Sequence, residues 1–264
     1  MKLATIGVGN AGSKLIDRMI EFEVETGRNL CRHALVINTA RTDLAKPQNI
    51  PEDRRVLIGD THHKARGHGV GGDAEIGAEV AQTDIDEIRR VFDDVEIHEL
   101  DAVLVAAGLG GGTGSGAAPV VIEEIQKMYD EPVYGLGVLP GKYEGGRPAL
   151  NAARSLQSFV TKVDNFIAFD NDAWRSRGQT IEQGYEEMNK ELAPAKQGLL
   201  SKFNESDEPE SESTDAAKIK GLVRRAVNSR LTVPCDISSA DRALIVFAGP
   251  PDVISRKGVE SARE

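Results

Sequence analysis

One stretch of this chain constrains the fold more than any other. Residues 108–116 (GLGGGTGSG) follow a continuous apolar run, residues 102–107, which predicts a buried parallel strand. Residues 117–129 then predict a helix, with Pro119 expected in its first turn. A glycine-rich loop between a strand and a helix is typical of an anion site, because bare backbone N–H groups and the helix dipole both face the ligand.

The loop has features of a phosphate site but lacks the Gly-Lys-Ser/Thr ending of a Walker A motif. Thr113 and Ser115 add hydroxyl donors. Backbone amides, the helix dipole and a bound cation would therefore have to stabilise the charge of a phosphate. Glycine runs also form flexible linkers, but a linker does not usually separate a buried strand from a helix.

A second glycine turn, residues 7–12 (GVGNAG), lies between a first strand at residues 3–6 and a helix expected to end near Gly27. Read alone, this GxGxxG pattern indicates a dinucleotide-binding fold, which expects an acid at the end of the second strand. The second strand, residues 34–37, is followed by Asn38 instead. Asn38 can also bind a ribose, so a Rossmann-like oxidoreductase stays open as an alternative.

A third glycine turn, residues 67–77 (GHGVGGDAEIG), opens a further helix. Asp73 and Glu75 suit the N-terminus of that helix. Apolar positions at helical spacing predict that it continues unbroken through residue 92. Nearby histidines do not indicate a metal site, because no cysteine or carboxylate cluster has ligand spacing here.

Composition narrows the class of protein. The net charge of -10 argues against nucleic acid as the main partner. No apolar run reaches the length of a membrane span, and the first residues enter a strand without a signal peptide. Cys31 and Cys235 are far apart and are interpreted as buried thiols. We therefore expect a cytoplasmic protein.

The segment GGGTGSG, residues 110–116, resembles the signature loop of the tubulin/FtsZ superfamily of GTP-dependent cytoskeletal polymers. The resemblance covers residues 1–192, and residues 134–141 (YGLGVLPG) and 169–175 (FDNDAWR) look most like the haloarchaeal CetZ branch, which is associated with control of cell shape and motility. It implies an α/β domain with a mostly parallel sheet and helices on both faces. It also implies binding of GTP or GDP, and it allows Mg²⁺.

The resemblance implies a nucleotide site in which the first loop and the signature loop face the phosphates and the third glycine turn senses the terminal phosphate. A glutamate binds the ribose, and three later residues recognise the guanine. The implied residues are Gly9, Asn10, Ala11, Gly71, Gly72, Gly110, Gly111, Gly112, Thr113, Gly114, Ser115, Glu144, Asn171, Tyr185 and Asn189. Lys142 and Arg147 are either phosphate contacts or ordinary loop charges.

The base-recognition residues also have a rationale of their own. Tyr185 and Asn189 lie four residues apart on a predicted helix and so share one face. An aromatic ring and an amide at this spacing can stack on a purine and hydrogen-bond its edge. The alternative makes Tyr185 a core residue and Asn189 a surface one.

The pattern changes after residue 192. Residues 193–214 contain Pro194 and an acidic, serine-rich run, which predicts a disordered linker. Residues 215–264 then resemble the start of the family's C-terminal domain, an incomplete α+β unit. The family's acidic loop, which completes GTP hydrolysis on the neighbouring subunit, has no convincing counterpart. No catalytic residue is assigned, and we expect slow turnover and poor assembly by this chain alone.

Three functions remain at this point. The first is a GTP-binding cytoskeletal protein, CetZ-like, that controls cell shape through GTP-dependent filaments assembled head to tail, with itself or with related filament proteins. The second is a GTP-binding regulator of related filaments without efficient hydrolysis. The third is the oxidoreductase, against which stand the three glycine turns and the missing acid at Asn38.

Overall fold

The computed structural model describes residues 2–27, 29–92, 95 and 100–170. These residues form a six-stranded sheet, six helices and two short 3-10 turns. The strands are β1 (Leu3–Val8), β2 (Cys31–Asn38), β3 (Arg55–Leu57), β4 (Ala102–Gly108), β5 (Val133–Leu139) and β6 (Asn165–Asp170). The helices are α1 (Gly9–Thr26), α2 (Arg41–Leu44), α3 (Ala74–Thr83), α4 (Ile85–Phe92), α5 (Gly112–Met128) and α6 (Gly146–Val160). The 3-10 turns span Glu52–Arg54 and Lys142–Glu144.

The strands lie in the order β3-β2-β1-β4-β5-β6, and every neighbouring pair is parallel. The predicted α/β architecture is therefore confirmed. The chain order reverses between β1 and β4, and open parallel sheets bind ligands at the carboxyl ends of the strands beside such a reversal. Dinucleotide-binding folds share this strand order, so topology alone does not separate the functional alternatives.

Helices cover both faces of the sheet, as predicted. On one face, buried residues of α3, α4, α5 and α6 form a continuous core with the strands; Val80, Ile88, Ile122 and Phe159 are examples. On the other face, Leu15 and Ile16 of α1 and Leu44 of α2 pack against the sheet. Near-continuous burial of β1 and β4 follows from this two-sided cover.

Helix α5 begins five residues earlier than predicted, and the expected place of Pro119 in its first turn was wrong. Gly111 is the N-cap, so Pro119 is the eighth helical residue. Proline has no N–H, and the carbonyl of Ser115 therefore lacks its usual helical donor. The Ser155 hydroxyl of α6 donates to that carbonyl at 3.1 Å instead. A neighbouring helix thus satisfies the group that the proline leaves unpaired.

Two other helix boundaries also differ from the prediction. The expected single helix through residue 92 is interrupted at Asp84, which leaves helical geometry (ψ 28°) and accepts a hydrogen bond from Gly59 N–H at 2.6 Å. Helix α6 starts at Gly146 rather than at residue 149, and Pro148 occupies its first turn, where no N–H is needed. The expected end of α1 at Gly27, in the left-handed region at φ 66°, is confirmed.

An ion pair between a buried carboxylate and a partly exposed arginine joins α4 to α5. The Glu124 carboxylate is buried and accepts hydrogen bonds from Arg89 Nε at 2.5 Å and from Lys127 Nζ at 3.2 Å. The hydrogen bond from the Arg89 guanidinium lowers the pKa of Glu124 below the ordinary range of a glutamate, against the effect of burial. The carboxylate therefore stays charged at neutral pH.

Helices α3 and α5 touch backbone to backbone, and glycines make this contact feasible. A Cβ on Gly116 would overlap the Ala74 carbonyl oxygen, and one on Gly77 would overlap that of Gly112. Gly112 itself lies against the backbone of Gly72 and Asp73. Gly112 and Gly116 of the signature loop are therefore required by packing against α3 and the turn before it, as well as by any ligand.

This contact gives the first testable prediction. Gly116→Ala should destabilise the fold by about 1–3 kcal/mol, because the new methyl group must push α3 away from α5. Gly111→Ala is the matched control, since its φ of -84° suits alanine and its Cβ would meet nothing within 4 Å. Urea unfolding of the two variants measures the difference. Equal stability of both variants would contradict the packing role of Gly116.

Candidate functional site

A cavity of about 470 Å³ opens at the carboxyl ends of β1 and β4, where the chain order reverses. Its walls come from residues 8–11, 38–40, 68–72, 108 and 110–114. The lining is completed by Lys14, Asp43, Val138, Pro140 and Glu144. This volume lies within the usual range of a small-molecule site.

Eleven of the twelve predicted site residues in the described part of the chain line this cavity. They are Gly9, Asn10, Ala11, Gly71, Gly72, Gly110, Gly111, Gly112, Thr113, Gly114 and Glu144. Ser115 is placed differently: it is buried in α5, and its hydroxyl donates to the Gly111 carbonyl. The predicted guanine contacts Asn171, Tyr185 and Asn189 lie outside the described residues.

Two helix N-termini open into the cavity. Helix α1 begins at Gly9 directly after β1, and α5 begins at Gly112 after the signature loop. Neither Val8 nor Gly111, their N-cap residues, forms a side-chain cap. Their first-turn N–H groups and dipoles are therefore available to an anion.

Helix α3 differs from these two helices, because a side chain already caps it. Asp73 Oδ1 accepts hydrogen bonds from Glu75 N–H at 3.0 Å and Ile76 N–H at 3.1 Å. Asp73 is thus the N-cap, consistent with the acid predicted for this end. Ahead of it, Gly71 and Gly72 adopt left-handed φ values of 57° and 75°, which bring a backbone turn without side chains to the cavity wall.

The end of β2 supplies a polar wall that is largely committed to internal bonds. Asn38 is 2% exposed, and its side-chain oxygen accepts hydrogen bonds from Thr39 N–H at 2.8 Å and Ala40 N–H at 3.3 Å. The hydroxyls of Thr39 and Thr113 share a hydrogen bond of 2.7 Å, which ties this segment to α5. The Asn38 oxygen is therefore engaged by the backbone rather than presented to a ribose.

Sequence reasoning missed Lys14. This exposed lysine lies on α1, lines the cavity, and makes no salt bridge with any residue in the described part of the chain. It follows Asn10 by four residues, so the two share a helix face. That spacing from the glycine turn was the signal that could have identified it. The wall thus carries a protein cation although the signature loop has none.

Two basic residues of the later loop lie elsewhere. The Arg147 guanidinium lies 3.4 Å from Asp73 Oδ2, and neither Lys142 nor Arg147 is among the residues that line the cavity. Among the described residues there is no group of three or more histidines, cysteines or carboxylates placed to hold a metal ion. No helix in this described part of the chain is both long enough and apolar enough to cross a membrane.

Two family models match the chain. The model described as "Tubulin/FtsZ family, GTPase domain" matches residues 2–178. The model described as "Tubulin-like CetZ, C-terminal domain" matches residues 184–264. Both describe tubulin-like proteins, so the oxidoreductase alternative is set aside.

Individual relatives agree with the family models. The tubulin-like protein CetZ1 of Haloferax volcanii is 43% identical over 319 aligned positions, which cover 100% of this chain and 80% of CetZ1. CetZ3 of the same organism is 44% identical over 312 positions, with the same coverage. Because the chain has 264 residues, the alignment with CetZ1 includes at least 55 internal positions that this chain lacks.

Solved structures show the same relationship. The GDP-bound monomer of CetZ1 from Haloferax volcanii matches with a TM-score of 0.86 at 46% identity, covering 100% of this chain and 84% of CetZ1. The GTPγS-bound protofilament of CetZ2 from that organism matches with a TM-score of 0.82 at 38% identity and the same coverage. Fold, family models and whole-length identity agree, and the chain therefore belongs to the tubulin/FtsZ family and, within it, to the CetZ group.

Proposed function

We propose that this chain is a cytoplasmic, GTP-binding cytoskeletal protein that works in head-to-tail filaments, with itself or with related filament proteins, and contributes to the control of cell shape. The observation that carries the proposal is the cavity between β1 and β4, whose walls are the predicted phosphate loops. The relatives add support, since CetZ1 is known as a GDP-bound monomer and CetZ2 as a GTPγS-bound protofilament.

The chemistry of the cavity suits a nucleotide polyphosphate. Phosphates placed against residues 110–114 and 9–11 would meet two uncapped helix N-termini, and Lys14 would add a full positive charge. Glu144, which also lines the cavity, would contact the ribose. Mg²⁺, if bound, would be held mainly by the phosphates and water, with the Thr39 and Thr113 hydroxyls nearby.

Assembly follows from how such subunits repeat. A head-to-tail interface joins two different surfaces, so it extends into an open filament instead of closing as a dimer. The proposed division is a GTP-binding domain at residues 1–192, a linker at 193–214 and a partial C-terminal domain at 215–264. No observation on the described residues favours a regulator of related filaments over a subunit of the filaments.

A substitution at Gly111 tests the site. Gly111→Val should weaken GTP binding by at least about 100-fold, because the side chain would fill open space at the cavity wall that the phosphates need. Calorimetric titration measures the affinity. Gly146→Val is the matched control, since Gly146 also faces open space but does not line the cavity. Parent-like affinity of the Gly111 variant would count against the phosphate site.

Preference for guanine tests the base-recognition residues. The parent chain should bind GTP and not ATP, and Asn189→Ala should weaken GTP binding about tenfold, because an unpaired buried polar edge costs about 1–3 kcal/mol. Asn171→Ala should act in the same direction. Competition titrations with both nucleotides provide the measurement. If Asn189→Ala binds GTP as tightly as the parent, the assignment of Asn189 is wrong.

Assembly and turnover test the filament proposal. We expect GTPγS, and not GDP, to bring the chain into sedimentable filaments, weakly alone and more strongly with a related filament protein such as CetZ1. GTP turnover should be slow and linear in protein concentration, because a missing positioned catalytic group typically costs about 10²–10⁴ in rate. If the chain stays out of the pellet both alone and with the related protein, the filament role is wrong. If turnover rises cooperatively with protein concentration, the expected lack of the catalytic acid is wrong.

A further inference from the structure

A buried amide outside the cavity holds two of its walls together. Asn151 lies on α6, is 8% exposed, and does not line the cavity. Its Nδ2 donates to the Gly72 carbonyl at 2.8 Å and to the Gly110 carbonyl at 3.1 Å. A carboxamide nitrogen has two hydrogens, so these bonds use its full donor capacity. One side chain thus joins the glycine turn before α3 to the signature loop before α5.

The surrounding contacts keep Asn151 in this position. One helical turn earlier, Arg147 pairs with Asp73 at 3.4 Å; one turn later, Ser155 donates to the Ser115 carbonyl at 3.1 Å. The spacing of four residues places these three side chains on one stripe of α6. Asn151 is the member of the stripe that contacts the cavity loops through their carbonyls.

The bond to Gly110 also has a consequence for the next residue. In a trans peptide the carbonyl and the following N–H point in opposite directions. Fixing the Gly110 carbonyl toward α6 therefore fixes the Gly111 N–H on the other side of that peptide. Gly111 lines the cavity, and its N–H makes no hydrogen bond with any residue that the structure describes. Asn151 thereby sets the direction of an unused donor at the signature loop.

The bond to Gly72 acts on the second wall. Gly71 and Gly72 carry no side chains that could hold the turn, and both have left-handed φ values. A hydrogen bond from the Asp73 N–H to the Val70 carbonyl at 3.0 Å closes this turn and sets the plane of the Gly72–Asp73 peptide. The Asn151 amide donates to the carbonyl of that peptide, so it ties the closed turn to α6, the helix that also holds the Gly110 carbonyl.

We propose that Asn151 is a positioning residue that makes the site prefer a nucleoside triphosphate over the diphosphate. A triphosphate long enough to reach both walls gains from their fixed spacing, whereas a diphosphate that reaches the signature loop alone gains less. This inference rests on the proposed function, namely that the cavity binds guanine nucleotides.

The experiment measures calorimetric Kd values for GDP and GTPγS on the full chain and its variants. Asn151→Asp keeps the shape of the side chain but replaces both donors by an acceptor, and Asn151→Ala removes the group. Both variants should weaken GTPγS binding about tenfold more than GDP binding. The ratio of the Kd of GDP to the Kd of GTPγS should therefore fall about tenfold. Ser155→Ala is the control: it removes a buried hydrogen bond from the same stripe, so it should lower the melting temperature and keep the ratio.

Two results would overturn the proposal: an unchanged ratio in Asn151→Asp, whether or not Asn151→Ala shows a loss, or a loss in Ser155→Ala as large as that in Asn151→Asp. Asn151→Ser, which has a single donor, should show a smaller loss of GTPγS binding. This variant replaces Asn151→Asp in the test if Asn151→Asp does not fold. An unchanged ratio in Asn151→Ser would also overturn the proposal. A parent chain that binds neither nucleotide would refute the proposed function itself, which distinguishes that failure from failure of the Asn151 role.

Discussion

The structure depends on a contact between two backbones at the point where the strand order reverses. A Cβ on Gly9 would lie 2.8 Å from the amide nitrogen of Gly114, and one on Gly12 would overlap the Ala106 carbonyl. With no side chains between them, the first turns of α1 and α5 converge on one cavity. The partial positive charges of two helix N-termini are thereby brought together, and a bound anion would neutralise them. The fold itself therefore favours an anion at this point, before any particular side chain contacts it.

Helix α6 completes this arrangement from outside. Its hydroxyl at Ser155 satisfies the carbonyl that Pro119 leaves without a helical donor, and its amide at Asn151 holds the two glycine segments. The 3-10 turn that carries Glu144 leads almost directly into the same helix. The ribose and phosphate sides of the proposed site therefore share α6 as a common support.

The sequence was sufficient to predict strands β1, β2 and β4, the three glycine turns, the acid at the start of α3 and the end of α1, because each has a local physical signal. The predictions were wrong or incomplete where contacts between residues far apart in the chain determine the local structure. Glycine propensity indicated a loop at residues 112–116, yet packing against α3 makes them helical. The break at Asp84 depends on a bond to Gly59, 25 residues away. Lys14 and Asn151 were missed because their importance appears only once separate loops are brought together, and the guanine contacts remain predictions.

The central claim is that backbone amides of two helix N-termini hold the nucleotide phosphates. Amide chemical shifts of the 28.4 kDa chain, followed by NMR during titration with GDP, test it most directly. The account predicts that the largest shifts fall on residues 9–11 and 110–114, with the Gly111 N–H among them. Shifts confined to other parts of the sheet, or no shifts at saturating GDP, would contradict it.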